Sequence, residues 1–450
     1  MTPRSSDLWF LPLGGCGEIG MNFNLYGHDG QWLIVDCGVT FERPSILDPA
    51  SGLETRIEAA DPKFIADRND QIAGMIITHA HEDHIGAVPY LWDRLRCPVY
   101  ATPFTAEILR RKLSEVGLAG RVPVHIIELG GRHQVGVFNI EWLNLTHSIP
   151  EPSGILIRTP AGTVFHTADW KIDHNPVLGE PFDAAPYRAL AAEGIDAMVC
   201  DSTNATLPGW SASEGDLHAG IQHYVASAPG RVIVACFASN LARLLTLLHV
   251  ARATERSVVL LGRSLHNMLG AARSVGLWDD DSVLVRSRDM GYLPRDKTLV
   301  IATGSQGEPR AALSRLALNN HPDMTLDIGD RVIFSSKVIP GNEQDIQRLV
   351  KRLEILGVEV IASETAEHPI HASGHPAQDE LSVMYEWVKP HLAIPVHGEA
   401  QHMKANAAVA KASGVPRQLT GSNGDLFMIA PLRGVRRQVV KPGRVVIERQ

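Results

Sequence analysis

The stretch "MIITHAHEDHIGAVPY", Met75 to Tyr90, decides how the rest of the chain is read. The apolar run from Gly74 to Ile77 has the character of a buried strand, and it delivers His79, His81, Glu82, Asp83 and His84 in one loop. Unpaired ionisable groups are expensive to bury, so the cluster must either coordinate something or lie open to water. HxHxDH puts three imidazoles and a carboxylate together, a mixture that suits zinc, with manganese the main competitor where oxygen ligands count. One ion needs three protein ligands plus a water, so this loop by itself nearly serves one. A solvated His-rich loop is the plain alternative, and Glu82 is expected to turn away from any ion.

Other strand ends repeat the pattern. "QWLIVDCG" stops at Asp36, "FNIEWLNLTHS" ends at His147, "SGILIRTPAGTVFHTADW" reads as a hairpin that ends at Asp169, and "IDAMVCDSTNA" ends at Asp201. Each places His or Asp just past the last apolar residue, where a site at the edge of a sheet would sit. Alone, each would more often be a capping or surface residue. With His397 in "LAIPVHGE", Asp36, His147 and Asp169 offer enough donors for a second ion. Two ions a few ångströms apart can clamp the attacking and leaving oxygens of a phosphodiester.

Near residue 205 the texture changes to alternating strand and helix: "RVIVACFASN" then "LARLLTLLHVARA", "SVVLLGRS" then "LHNMLGAARSVG", "TLVIATGSQGEP" then "RAALSRLAL", and "DRVIFSSKVIPGNE" then "QDIQRLVKRLEILG". This is the pattern of a parallel α/β sheet, whose carboxyl edge usually binds ligands. After residue 365 the polar cluster returns in "HPIHASGHPAQDE". The expected organisation is a first domain over 1–204 that resumes over 366–450, interrupted by an inserted α/β domain over 205–365. In "HASGH", His371 to His375, a small-residue turn offers backbone N–H groups and the Ser373 hydroxyl to an anion, and His375 could protonate a leaving oxygen. The alternative is an ordinary glycine turn with surface histidines.

Composition excludes several classes. The 450 residues, 44% apolar and 20% charged, are those of a globular chain long enough for two or three modules. Five scattered cysteines without a CxxC pair point to reduced thiols in a cytosol. The start "MTPRSSDLWF" lacks a signal region and no run approaches a membrane span, so a cytoplasmic location with no membrane partner is expected. A net charge of −8 argues against broad, non-specific nucleic-acid binding. The basic end, with Arg433, Arg436, Arg437, Lys441, Arg444 and Arg449 against Glu448, is expected to be a solvated face.

Together these residues resemble the metallo-β-lactamase superfamily, and more closely its β-CASP branch, with bacterial ribonuclease J the best-matching group. The resemblance runs through nearly the whole chain: "LGGCGEIGMN", "THAHEDHIGAVPYL", "FASNLAR", "TGSQGEPRAALSRLA", "IFSSKVIPGNE", "HASGH" and "PVHGE" occur in family order. It implies an αβ/βα sandwich with an inserted parallel-sheet β-CASP domain. It also implies two divalent ions, zinc or manganese: one on His79, His81, His147 and Asp169, the other on Asp83, His84, the shared Asp169 and His397. Asp36 and Asp201 would stand behind the ligands. Asp83 would help activate the water and His375 would donate the proton. Ala372, Ser373 and Gly374, with His371 and His375, match the phosphate pocket, and Ser239 and Asn240 look like contacts to the RNA backbone.

The implied activity is hydrolysis of RNA, 5′-to-3′ exonucleolytic or endonucleolytic, in RNA processing and decay. The implied substrate is single-stranded RNA. RNA-processing members of the branch resemble this chain in having His at the position of His397, where DNA-processing relatives usually have Val. Rival readings are a DNA nuclease of the branch, a small-ester or thioester hydrolase, and an RNA-binding scaffold with a dead site. The inserted domain and full ligand set argue against the last two. A homodimer or homotetramer is the implied assembly, although the group usually continues into a small C-terminal domain where this chain stops at Gln450.

Overall fold

In the strands of residues 8–76, successive apolar side chains alternate between two buried faces, as a period of two residues requires. Leu8, Phe10, Leu33, Val35 and Ile76 enter one core, while Leu11, Leu13, Trp32, Ile34 and Met75 enter another. The computed structural model describes residues 1–42, 56–339 and 341–448. An eight-stranded sheet runs in the order Gly434–Arg436, Leu426–Ala430, Leu8–Gly14, Phe23–His28, Gln31–Val35, Ile72–Ile76, Val99–Ala101, Val124–Ile126. A seven-stranded sheet runs Arg417–Gln418, Leu392–Val396, Ala197–Asp201, Gly162–His166, Ser153–Thr159, Phe138–Asn144, Arg132–Val135.

The two sheets face each other. Phe10, Tyr26 and Val35 of the first share a core with Trp142, Ile155, Val199 and Ile394 of the second. Trp142 is fully buried there, and truncating such a ring to Ala costs about 3–5 kcal/mol. Helices cover both outer faces: Val88–Leu95 and Pro103–Glu115 on one, Ala185–Glu193, Gln378–Val388 and Ala400–Ala412 on the other. This is the expected αβ/βα sandwich. Residues after 390 complete both sheets, so the chain leaves the sandwich and returns to it.

Between departure and return lies a six-stranded sheet, all parallel: Leu284–Val285, Ser257–Leu261, Thr298–Ala302, Val232–Ala235, Arg331–Phe334, Glu359–Ala362. Val232 and Val234 pack toward the Leu217–Ala226, Leu241–Ala253 and Arg263–Ser274 helices, Ile233 and Ala235 toward Ala312–Ala317 and Glu343–Ile355. The helix expected in "RAALSRLAL" is only six residues long, ended near Asn319, whose backbone is left-handed at φ 52°. The strands at 284–285 and 359–362 carry too short an apolar run to be read from sequence. Ile108 and Leu109 of the sandwich share a core with Leu265 and Leu269 of the insertion, and Arg111 donates to Ser274 Oγ at 3.0 Å.

The described basic residues of the C-terminal end are exposed, as expected, and three of them also hold ion pairs. Arg437 pairs with Asp425, just before the neighbouring strand, while Arg433 pairs with Asp196 and Arg444 with Glu18 and Glu58, acids distant in sequence. Arg449 lies outside the described residues. No helix among the described residues is long and apolar enough to cross a membrane.

Candidate metal centre

The Ile72–Ile76 strand ends in the loop that carries His79 and His81, and the short Glu82–Ile85 helix follows. Close backbone approach fixes that helix: a Cβ on Gly38 would lie 1.7 Å from the Asp83 carbonyl, so only glycine fits. His79 Nε2 and His147 Nε2 each lie 3.1 Å from His81 Nδ1. Asp169 Oδ2 lies 3.9 Å from His79 Nε2 and 3.7 Å from His147 Nε2. On the other side Asp169 Oδ2 is 3.3 Å from His84 Nε2, and Asp83 Oδ2 is 3.1 Å from His397 Nε2. His79, His81, His147 and Asp169 thus form one donor set, and Asp83, His84, Asp169 and His397 another, each within 4.8 Å. Asp169, Asp201, His375 and His397 form a third grouping of the same compactness.

Hydrogen bonds at Nδ1 turn the Nε2 atoms of His79, His84, His147 and His397 toward the centre. Thr78 Oγ1 donates to Asp36 Oδ2 at 3.0 Å and accepts from His79 Nδ1 at 3.1 Å, so Nε2 carries the free pair. His84 Nδ1 donates to the same Asp36 oxygen at 2.7 Å. Thr203 repeats the device, donating to Asp201 Oδ1 at 2.7 Å and accepting from His397 Nδ1 at 2.8 Å. His147 Nδ1 donates to the Gly374 carbonyl. Carboxylates behind imidazoles in this way orient the rings and raise their basicity. Asp36 and His397 take left-handed backbone at φ 66° and 51°, as does Ala168 beside Asp169. Such conformations cost about 1–3 kcal/mol each and cluster at functional sites.

The residues fit divalent ions. Converging lone pairs without hydrogens between them repel, and Asp169 Oδ1, fully buried, has no hydrogen-bond partner among the described residues. Burial drives His79 and His147 well below the usual imidazole range and brings His81 to about 4, so these rings are neutral donors. Burial also opposes charge on His84 and His397. There the carboxylates outweigh it, Asp169 and Asp83 at His84, Asp169 and Asp201 at His397, and hold both rings well above that range. Burial would raise Asp83 and Asp169, yet His84 and His397 keep both ionised. The chain thus holds protons where cations would go.

His375 sits beside this centre. Its Nδ1 is 2.8 Å from Asp201 Oδ2, and its ring stacks on His397 with centroids 5.7 Å apart. Burial disfavours its charge, but Asp201 and Asp169 prevail and raise it. Asn204 Nδ2 donates to Ser373 Oγ at 2.7 Å and to the His375 carbonyl at 3.2 Å, and Ser211 Oγ donates to that carbonyl at 2.6 Å. Gly374 packs against His147, where a Cβ would lie 2.7 Å from the ring. The turn is partly spent on itself, since the His375 N–H donates to Ser373 Oγ at 3.2 Å.

Other candidates are placed apart. His371 belongs to none of the donor groupings: burial first, then the nearby Arg243, Lys171 and Lys337 cations, bring it to about 3. The Ala372 methyl joins the apolar core. Ser239 and Asn240 stand at the carboxyl edge of the parallel sheet, but Asn240 Oδ1 accepts from Arg243 N at 2.9 Å and caps a helix. Glu82 turns outward to Lys112. Sequence reasoning missed Thr78, Thr203, Asn204, Ser211 and Asn22, whose Nδ2 lies 3.1 Å from His84 Nε2. Only the adjacency of Thr78 to His79, and of Thr203 to Asp201, was a usable signal.

Paired His/Asp donor sets at the strand ends of an αβ/βα sandwich define a metallo-β-lactamase-type hydrolase, and residues 19–196 match the metallo-beta-lactamase superfamily. Residues 229–353 match the family described as ribonuclease J, beta-CASP domain, and residues 366–418 the Zn-dependent metallo-hydrolase RNA specificity domain. Ribonuclease J of Sinorhizobium meliloti is 43% identical over 95% of this chain and 75% of its own length. Ribonuclease J of Mycolicibacterium smegmatis is 41% identical over 90% and 71%, and that of Thermus thermophilus 35% over 93% and 73%. The chain belongs to the ribonuclease J family. A crystal structure of a protein of unknown function from Enterococcus faecalis shares the fold, with TM-score 0.64 over 94% of this chain and 100% of its own at 15% identity.

Proposed function

We propose that the chain is a metal-dependent ribonuclease that hydrolyses RNA phosphodiester bonds through the residues of this centre. The observation that carries the reading is the pair of donor sets sharing Asp169, with the Asp201–His375 pair beside them. His79, His81, His147 and Asp169 would hold one divalent ion, and Asp83, His84, Asp169 and His397 the second. Bound there, the ions would supply Lewis acidity and lower the pKa of a water.

The chain's own groups do the rest. Asp83, with 29% of its side chain exposed, is the carboxylate open to incoming water and takes its proton. The water oxygen bonds to phosphorus as the bond to the departing ribose oxygen breaks. The Asp201 contact engages His375 Nδ1, so Nε2 is the atom left to give a proton to that oxygen. Asp36 and Asp201, through Thr78 and Thr203, keep the ligand rings in register. Ser373 and the backbone of the Gly374 turn would bind phosphate, with His371 and Ala372 shaping that loop from behind, and Ser239 and the cap at Asn240 lie at the sheet edge where the RNA backbone would pass.

Zinc is the ion favoured by three imidazoles in one set, manganese by the extra carboxylate in the other. The substrate is single-stranded RNA, cut from a 5′-monophosphate end or internally. The domains are 1–204 with 366–450, and 205–365 inserted. Five buried free cysteines suit a reducing cytoplasm, and a homodimer or homotetramer is the proposed assembly.

The test is a time course on RNA and DNA strands of one sequence, each with a 5′-monophosphate or 5′-triphosphate, with and without chelator. Chelator-sensitive cleavage of RNA, faster from the monophosphate end, is expected. DNA cut as fast as RNA overturns the substrate, and chelator-resistant cleavage overturns the metal dependence.

A further inference from the structure

Arg243 is a charged side chain with no exposure at all, in the first turn of the Leu241–Ala253 helix of the inserted sheet domain. Its Nε and Nη2 fork onto the two oxygens of Glu214 at 2.6 and 3.0 Å. Its Nη1 donates to the Ser335 carbonyl at 2.8 Å, to the Ser335 hydroxyl, and to the Ile370 carbonyl at 3.3 Å. Ser335 Oγ donates to that same Ile370 carbonyl at 2.6 Å. Ile370 directly precedes His371 to His375.

On its other side Glu214 donates its N–H to Asp173 Oδ2 at 3.0 Å, and Asp173 pairs with buried Lys171 at 2.8 Å, two residues after Asp169. One guanidinium therefore joins the inserted helix, the end of the Arg331–Phe334 strand, the loop carrying His375, and the segment leaving the shared carboxylate. A buried ion pair adds little net stability over apolar side chains of the same volume. What a bidentate fork adds is fixed orientation, which lysine, a point charge, does not reproduce.

We propose that Arg243, seated on Glu214, is a positioning residue that sets the entry of the 371–375 loop and thereby aims His375 at the departing oxygen. This rests on the ribonuclease reading and on His375 as proton donor. The consequence is a dependence on leaving group. A departing ribose oxygen needs a proton, whereas 4-nitrophenolate leaves without one, so a misaimed His375 slows only the first.

The experiment compares metal-loaded full-length chains, wild type, Arg243→Lys, Ser335→Ala and His375→Ala, on 5′-monophosphorylated RNA and on bis(4-nitrophenyl) phosphate. For Arg243→Lys the expected result is a fall of about 10²-fold in the ratio of RNA to nitrophenyl-diester turnover, carried by kcat rather than KM, the scale of a displacement of about 1 Å. Ser335→Ala, which keeps the ion pair and removes the hydroxyl, should move the ratio the same way by less, and it decides the matter if Arg243→Lys does not fold. Equal losses on both substrates, a loss carried by KM, loss of metal, or an unchanged ratio in the folded variants overturns the positioning role. If His375→Ala loses both substrates equally, the donor reading falls and the proposal with it. If wild type leaves RNA intact, the ribonuclease reading itself has failed.

Discussion

Replacing Asp169 by Asn changes almost no volume and keeps one carbonyl oxygen, so it tests charge and sharing rather than packing. Asp169 Oδ2 lies 3.3 Å from His84 Nε2, 3.7 Å from His147 Nε2 and 3.9 Å from His79 Nε2, so one atom serves both donor sets. Losing a residue that merely orients a ligand costs about 10–100-fold in metal affinity. A shared donor should exceed the top of that range at each ion, more than about 10²-fold or 2.7 kcal/mol. The two sets should not fail together. His79, His81 and His147 still offer three imidazoles, the number found in catalytic zinc sites, whereas the other set is left with Asp83, His84 and His397. The assay is dialysis against a buffered metal supply, then elemental analysis and RNA turnover on the same sample, with a thermal melt to show that the variant is folded. One ion per chain, and turnover down by more than about 10²-fold, is expected. A folded variant that keeps two ions and full rate would refute the shared-carboxylate argument.

Three further outcomes follow from the same contacts. His375→Ala should slow RNA cleavage by about 10²–10⁴-fold with metal content unchanged, and His371→Ala should cost less, because His371 belongs to none of the donor groupings and is held neutral by burial and the nearby cations; equal losses would mean that the two histidines share the role. Thr203→Val keeps the branched shape but cuts the hydroxyl between Asp201 and His397, and a competing chelating dye should report affinity lowered by about 10–100-fold. Because His84 and His397 are held protonated by Asp169, Asp83 and Asp201, and ligation needs neutral rings, metal binding should release protons near neutral pH. Affinity should then tighten as pH rises through the raised values of these imidazoles. Calorimetry in two buffers of different ionisation enthalpy checks this, and identical apparent enthalpies would exclude proton release.

The candidate donors were legible in the sequence by itself, because their chemistry is local. An apolar run that stops at His or Asp reads as a strand end, and Asp36, His147, Asp169 and Asp201 all stand at or within three residues of strand ends. The alternation of strand and helix after residue 205 likewise announced a parallel sheet, since buried strands read as unbroken apolar runs. What only the tertiary structure decided is which nitrogen of each ring faces the centre. His147 is turned by the carbonyl of Gly374, 227 residues away, and His375 by Asp201, 174 residues away. No periodicity carries such a pairing, because a hydrogen bond across the fold depends on where two chain segments meet rather than on either segment's own pattern. The same holds for Arg243. In sequence it reads as an ordinary helical cation, and only the fold shows it with no exposure, bound to Glu214, Ser335 and Ile370. Residue type sets what a side chain can do, while burial and long-range partners set its direction and its charge.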